Sequence, residues 1–169
     1  MSRSIDVSYF TGTRSLYKYL RNRGALEELD LFRKTDVSEI PKDNIGYVLE
    51  VDGKIAGAAM LYDEQDGGWL NELFEIMPEF RGQHLTRPFY EFIKRDIDAD
   101  FIHGFANSDE TRQIWEHLGQ VCIDPECREM IDLCDGRTVD QYLKEERKDL
   151  WRKQQKDRKK YLDERRKDS

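Results

Sequence analysis

Arg81-Gly82-Gln83-His84-Leu85-Thr86 is a polar stretch set between two segments of different period. Before it, Trp69 to Met77 is rich in apolar and aromatic residues, follows Gly67-Gly68 and halts at Pro78, which reads as a strand. After it, Phe89, Ile93 and Ile97 recur every four residues with Phe92 between them, which is helical spacing. The first N–H groups of a helix have no partner inside the helix and carry the positive end of its dipole. A strand, a short Arg-Gly turn and a helix start therefore attract phosphate.

The other reactive groups are sparser. Cys122, Cys127 and Cys134 are odd in number, with His117 the nearest histidine in sequence. That pattern reads as reduced thiols rather than as a disulfide framework or a metal site. Basic residues gather at the C-terminal end. From Lys144 to Ser169 there are 12 Lys/Arg and 7 Asp/Glu, a net of +5. The whole chain carries 28 Lys/Arg and 35 Asp/Glu, so residues 1–143 hold 16 against 28, a net of −12. Such a body favours basic small molecules or basic peptides and repels nucleic acid, and the tail has the opposite preference.

The elements that must position these groups follow in order. Ser4 to Phe10 alternates as a first strand, and two short amphipathic helices follow, broken at Gly24. Ile45–Val51 and Lys54–Tyr62 flank Asp52-Gly53, a hairpin turn. The second of these strands is apolar on both faces, hence central and covered on both sides. Asp100–Ala106 reads as a strand, Ser108–Leu118 as a helix closed by Gly119, and Val121–Ile123 with Glu129–Cys134 as a closing strand pair. Thr138 and Gln141 have capping-box spacing and open a helix that could run to Lys167. Residues 1–137 are expected to form one domain and 138–169 a charged helical extension. No run of 18 apolar residues exists and the N-terminus lacks a signal-like apolar core, so a cytoplasmic place away from membranes is expected.

The run PEFRGQHLTRPFYEFI resembles motif A of the GNAT superfamily of N-acetyltransferases, whose pattern Q/R-x-x-G-x-G/A follows a strand. Phe105-Ala106-Asn107 and Ile114-Trp115-Glu116-His117-Leu118-Gly119 resemble that family's strand ending in Asn and its helix ending in Leu-Gly. The resemblance spans roughly Ile5 to Leu133. It implies an α/β fold with a GNAT-like mixed, splayed central sheet flanked by helices, here with a long charged C-terminal helix. It implies acetyl-CoA as cosubstrate and direct transfer of an acetyl group to an amine acceptor. Ile76 and Met77 would pair with pantetheine, and Arg81, Gly82, Gln83, His84, Leu85 and Thr86 would hold the diphosphate. Asn107 would face the cofactor's other side.

Direct transfer needs a base for the amine, and Glu72 and Glu75 on the splayed strand are the candidates. Their odd separation puts them on opposite faces unless a bulge intervenes, and position relative to Pro78 favours Glu72. Three positions depart from the family pattern. His84 and Thr86 replace small residues in the turn, and Trp115 stands where many members have a tyrosine acid. An indole N–H is far too weak an acid to protonate a thiolate. Two alternatives therefore stay open: a non-catalytic GNAT-fold binding or assembly protein, and a GNAT relative modifying nucleic acid, anchored by the basic tail.

Overall fold

Asp52 and Gly53 both take positive φ, 51° and 82°, and close the tight primed turn that joins β2 (Ile45–Val51) to β3 (Lys54–Asp63). The computed structural model describes residues 2–167, and the chain divides into two compact units between Gly104 and Phe105. In the first unit β1 (Ile5–Thr11), β2, β3 and β4 (Gly68–Ile76) are successive antiparallel neighbours. β5 (Phe101–Phe105) lies parallel to β4 on its far edge, so the sheet is mixed. β2–β3 and β3–β4 are hairpins, which can only reverse the chain, whereas the helix between β4 and β5 allows a parallel return.

β3 is buried from Ile55 to Leu61, as a strand covered on both faces must be. One face packs on α3 (Thr86–Ile97): Phe74 stacks at 5.1 Å from Phe89, and the Tyr47 hydroxyl donates to Asp96 at 2.6 Å. The other face packs on α1 (Thr13–Asn22) and α2 (Asp30–Lys34). Gly46 sits there because a Cβ at that position would come within 2.6 Å of Leu16. Leu16, Leu20, Phe32, Tyr47 and Phe89 are fully buried, each side chain worth about 1.5–3 kcal/mol of transfer free energy.

The second unit holds α4 (Asp109–His117), the hairpin β6 (Val121–Cys122) and β7 (Glu129–Leu133), α5 (Val139–Glu146) and α6 (Lys148–Lys167). Ser108 caps α4 by accepting the Thr111 N–H at 3.1 Å, and Gly119 ends it at φ 101°. The Thr138–Gln141 capping box is present with both of its hydrogen bonds. The single helix expected from there to Lys167 is instead two. Arg147 leaves helical geometry (φ −133°, ψ 65°), and its guanidinium donates to Glu129 on β7 at 2.7 Å. Trp151 then fixes the start of α6 by donating to Asp140 at 3.2 Å, and no residue of α6 is buried. Among the described residues no helix is long and apolar enough to cross a membrane.

Candidate functional site

β4 and β5 are paired at one end only. Gly68, Trp69 and Leu70 lie opposite Phe101, Ile102 and His103, and the ladder stops there, although β4 continues for six residues. The closed end depends on two glycines. A Cβ on Gly67 would meet the Asp100 carboxylate at 2.2 Å, and one on Gly68 would meet the Phe101 ring at 2.1 Å. Just past the closed end, β4 changes register against β3. Met60 pairs with Leu73 and Leu61 with Asn71, which leaves Glu72 as the extra, unpaired residue of a β-bulge. A bulge bends its strand and adds twist, which accounts for the parting of β4 from β5 immediately beyond Leu70. The result is a V-shaped gap with its apex at Leu70 and His103.

The bulge also settles where the two acidic candidates stand. Glu72 is exposed at the apex. Its carboxyl is raised above the usual carboxylate range by desolvation, and Asn44 beside it pulls the other way. Asn44 is fully buried, and neither polar atom of its side chain makes a well-formed hydrogen bond. Glu75 is buried, at 6% exposure, and faces α2. Its Oε1 accepts the Leu31 N–H at 3.0 Å, and Phe32 donates to the same carboxyl. Burial raises Glu75 as well, against the pull of these two amides. Glu75 therefore serves α2, while Glu72 is the carboxylate open to a ligand.

At the mouth of the V, the chain passes through a short 3-10 turn, Pro78–Phe80, and reaches the Arg81–Leu85 turn before α3. Gly82 and His84 both take left-handed conformations, φ 78° and 59°. Arg3 at the start of the chain braces the turn, donating to the Gln83 side chain at 3.0 Å and its carbonyl at 3.2 Å. α3 begins at Thr86. Leu85 stands at the cap position, its side chain buried, and no side chain caps the helix or places an acid in its first turn. An uncapped helix start without acidic neighbours favours an anion.

No protein-family model matches the sequence, and no curated protein is a significant match to it. Solved structures do match. An acyl-CoA N-acyltransferase from Pseudomonas aeruginosa superposes at TM-score 0.53 with 16% identity, over 76% of this chain and 99% of that one. ElaA of Escherichia coli gives 0.55 at 11% identity, over 76% and 99%. An IAA acetyltransferase from Bacillus cereus gives 0.52 at 13% identity, over 76% and 96%. The fold is that of the GNAT superfamily.

Within the GNAT fold the departures acquire physical meaning. His84 occupies a left-handed position, which explains why the pattern puts glycine there: a Cβ in that region costs roughly 1–2 kcal/mol. Gly82, at a free position of the pattern two residues earlier, is also left-handed, and a Cβ there would find nothing within 4 Å. Ile76 and Met77, which the resemblance sets against pantetheine, have different backbone surroundings. Met77 has both backbone groups committed, its N–H to the Ala56 carbonyl at 2.8 Å and its carbonyl to the Phe80 N–H at 2.9 Å. The Ile76 carbonyl, on the open side of β4, accepts the Arg81 Nε–H at 3.1 Å, a contact from an exposed side chain that a ligand could displace. Asn107 belongs to the second unit, exposed just before the Ser108 cap, and Trp115 is buried in α4.

The sequence reading passed over His103. Its Nε2 is hydrogen-bonded to the Glu64 carboxylate, and the imidazole is 16% exposed. The two residues are 39 positions apart, so no linear spacing announces the pair. Only the register of β5 on β4, together with the end of β3, brings them together. Asn44 escaped notice for the same reason.

Proposed function

We propose that this chain is an acyl-CoA-dependent N-acyltransferase that passes an acetyl group from acetyl-CoA directly to an amine. One observation carries the reading: the unpaired Glu72 sits in a bulge at the apex of a gap whose mouth is an uncapped helix start. The diphosphate binds the Arg81–Thr86 turn. The pantetheine runs along the open edge of β4 past Ile76, after displacing the Arg81 side chain, and delivers its thioester to the apex. Glu72, desolvated enough to be a stronger base than a surface carboxylate, takes the proton of the attacking amine, directly or through one water. The body's net charge of −12, from 16 basic and 28 acidic residues, selects a basic acceptor such as a polyamine or a basic peptide N-terminus.

Isothermal calorimetry with CoA and acetyl-CoA, followed by acetyl transfer to spermidine and to a Lys-rich peptide, tests the proposal. Binding with transfer supports it. Binding of acetyl-CoA without transfer to any amine favours instead a GNAT-fold binding protein. That second reading draws on one contact, the Arg81 side chain occupying the β4 edge at Ile76. Failure to bind CoA removes the enzyme reading altogether.

A further inference from the structure

We propose that His103, held by Glu64, is the proton donor to the departing CoA sulfur; this rests on the acyltransferase reading above. Direct transfer forms a C–N bond and breaks the C–S bond of the thioester. The amine loses one proton, the thiolate must gain one, and Glu72 accounts only for the first. Trp115, in the helix where many GNAT members carry a tyrosine acid, is an indole and cannot supply the second.

The geometry points to His103. A ligand whose phosphates stay at the open mouth and whose chain runs into the V places its reacting end at the apex, where β4 and β5 last touch. His103 is the last residue of β5 in the ladder, opposite Leu70. Glu72 lies two residues beyond Leu70 on the other wall, as the extra residue of the bulge. With strands about 4.8 Å apart and a rise of about 3.3 Å per residue, the two Cα atoms are on the order of 8 Å apart. Side chains from both walls can then reach one thioester. Ladder partners share a face, so His103 lies on the face of Leu70, which is also that of Leu73 and Glu75 under α2. Glu64 comes from the residue after β3 and binds the imidazole Nε2, fixing the ring and leaving Nδ1 as the nitrogen that can face a ligand.

The step balances without a further reactant. The amine nitrogen attacks the carbonyl carbon, Glu72 receives its proton, and the C–S electron pair stays on sulfur. The imidazolium of His103 then protonates the sulfur to give CoA thiol, and His103 recovers its proton from solvent as product leaves. A purely structural pair, pinning the β3–β4 turn to β5, would be worth stability and nothing to the reaction.

Three measurements on the full chain separate these. His103→Gln should lower kcat about 10²-fold with the acetyl-CoA KM changed less than twofold, and Glu64→Gln about tenfold. In ¹⁵N-histidine NMR of the wild type, CoA should move the His103 ring resonances and desulfo-CoA should not. Melting temperatures of both variants report folding independently. An unchanged kcat in a folded His103→Gln, or a His103 signal blind to bound CoA, overturns the proposal while leaving acyl transfer intact. A wild-type chain that binds no CoA overturns both, and calorimetry identifies that case.

Discussion

The Leu31 N–H donates to Oε1 of Glu75 at 3.0 Å, so that a side chain of β4 caps a helix 44 residues away. α2 needs such a partner because Leu29, at its own cap position, can offer no side-chain acceptor. Tyr17 completes the clamp, its hydroxyl donating to the Phe32 carbonyl at 2.8 Å. Burial and the nearby Glu75 push the Tyr17 phenol up to about 12, so it stays a donor across the working pH range. Two glutamates three residues apart therefore differ in surroundings, Glu75 buried and holding α2, Glu72 exposed in the bulge beside Asn44.

That difference predicts opposite signatures for two substitutions. Glu72→Gln should lower acetyl transfer about 10²-fold with the melting temperature little changed. Glu75→Ala should lower the melting temperature, since it takes a buried acceptor away from two amides at the start of α2. Steady-state kinetics and thermal denaturation on the same samples check both. A crippled but stable Glu75→Ala beside an unaffected Glu72→Gln would assign the base to the wrong residue.

Glu75 also predicts a pH dependence of stability. Its folded-state carboxyl is raised, so the folded protein holds that proton more tightly than the unfolded chain. The resulting stabilisation is fully present below the unfolded value and is lost as pH rises through the folded one. The melting temperature of Glu75→Gln relative to wild type should therefore move in the variant's favour from pH 4 to pH 8. Denaturation scans at several pH values read this directly.

For Glu72 the same direction of shift acts on rate. The base must be ionised, so kcat/KM should fall on the acid side through a midpoint above the ordinary carboxylate range. Asn44 is the one group that opposes the desolvation at Glu72. Asn44→Ala should therefore carry that acid limb to higher pH, an effect that loss of packing alone would not produce. A limb that stays in place while the variant melts early would make Asn44 purely structural.

The phosphate turn yields a paired prediction about conformation. Gly82→Val should abolish CoA binding and leave the fold in place: its side chain projects into open space, and the left-handed backbone costs roughly 1–2 kcal/mol. His84→Gly should do the reverse. The strain relieved there is largely offset by glycine's conformational entropy, about 0.5–1 kcal/mol, so stability changes little. Removing a Cβ beside the turn lets the backbone approach phosphate more closely, and the CoA Kd should tighten. Calorimetry on the two variants is sufficient.

Much of this was written in local pattern. Gly67-Gly68, Asp52-Gly53, Thr138 with Gln141 and the four-residue spacing of Phe89, Ile93 and Ile97 each dictate a turn, a cap or a helix through chemistry within a few residues. The boundaries of β4 and α4 accordingly fall within a residue of expectation. What local pattern cannot carry is register. The bulge at Glu72 depends on how β4 slides against β3, and the His103–Glu64 pair on how β5 meets β4. Arg147 misled for a related reason: nothing helix-breaking stands there, and the interruption comes from its bond to Glu129, 18 residues away.

The tail supplies the final prediction. Removing everything after Gln154 would keep Arg147 on Glu129, Trp151 on Asp140 and the Lys144 ammonium over the Trp151 ring at 5.7 Å. Past that point α6 has no buried residue, and its large apolar side chains, Tyr161 and Leu162, are exposed. Helical pairs such as Asp149 with Lys153 are worth only about 0.2–0.5 kcal/mol each. The truncated chain should therefore melt within a degree or two of the full one. Cutting after Leu143 instead removes the Arg147 bridge and should cost measurable stability, because the half-buried Glu129 is left without its partner. The basic clusters Arg152-Lys153, Arg158-Lys159-Lys160 and Arg165-Arg166-Lys167 recur about every two turns, a spacing that would suit a polyanion. Yet the body's −12 opposes approach of one, so the full chain should show no salt-dependent affinity for DNA or RNA at 50 mM and 200 mM salt. A steep salt slope that vanishes on removing residues after Gln154 would assign the tail to nucleic acid instead.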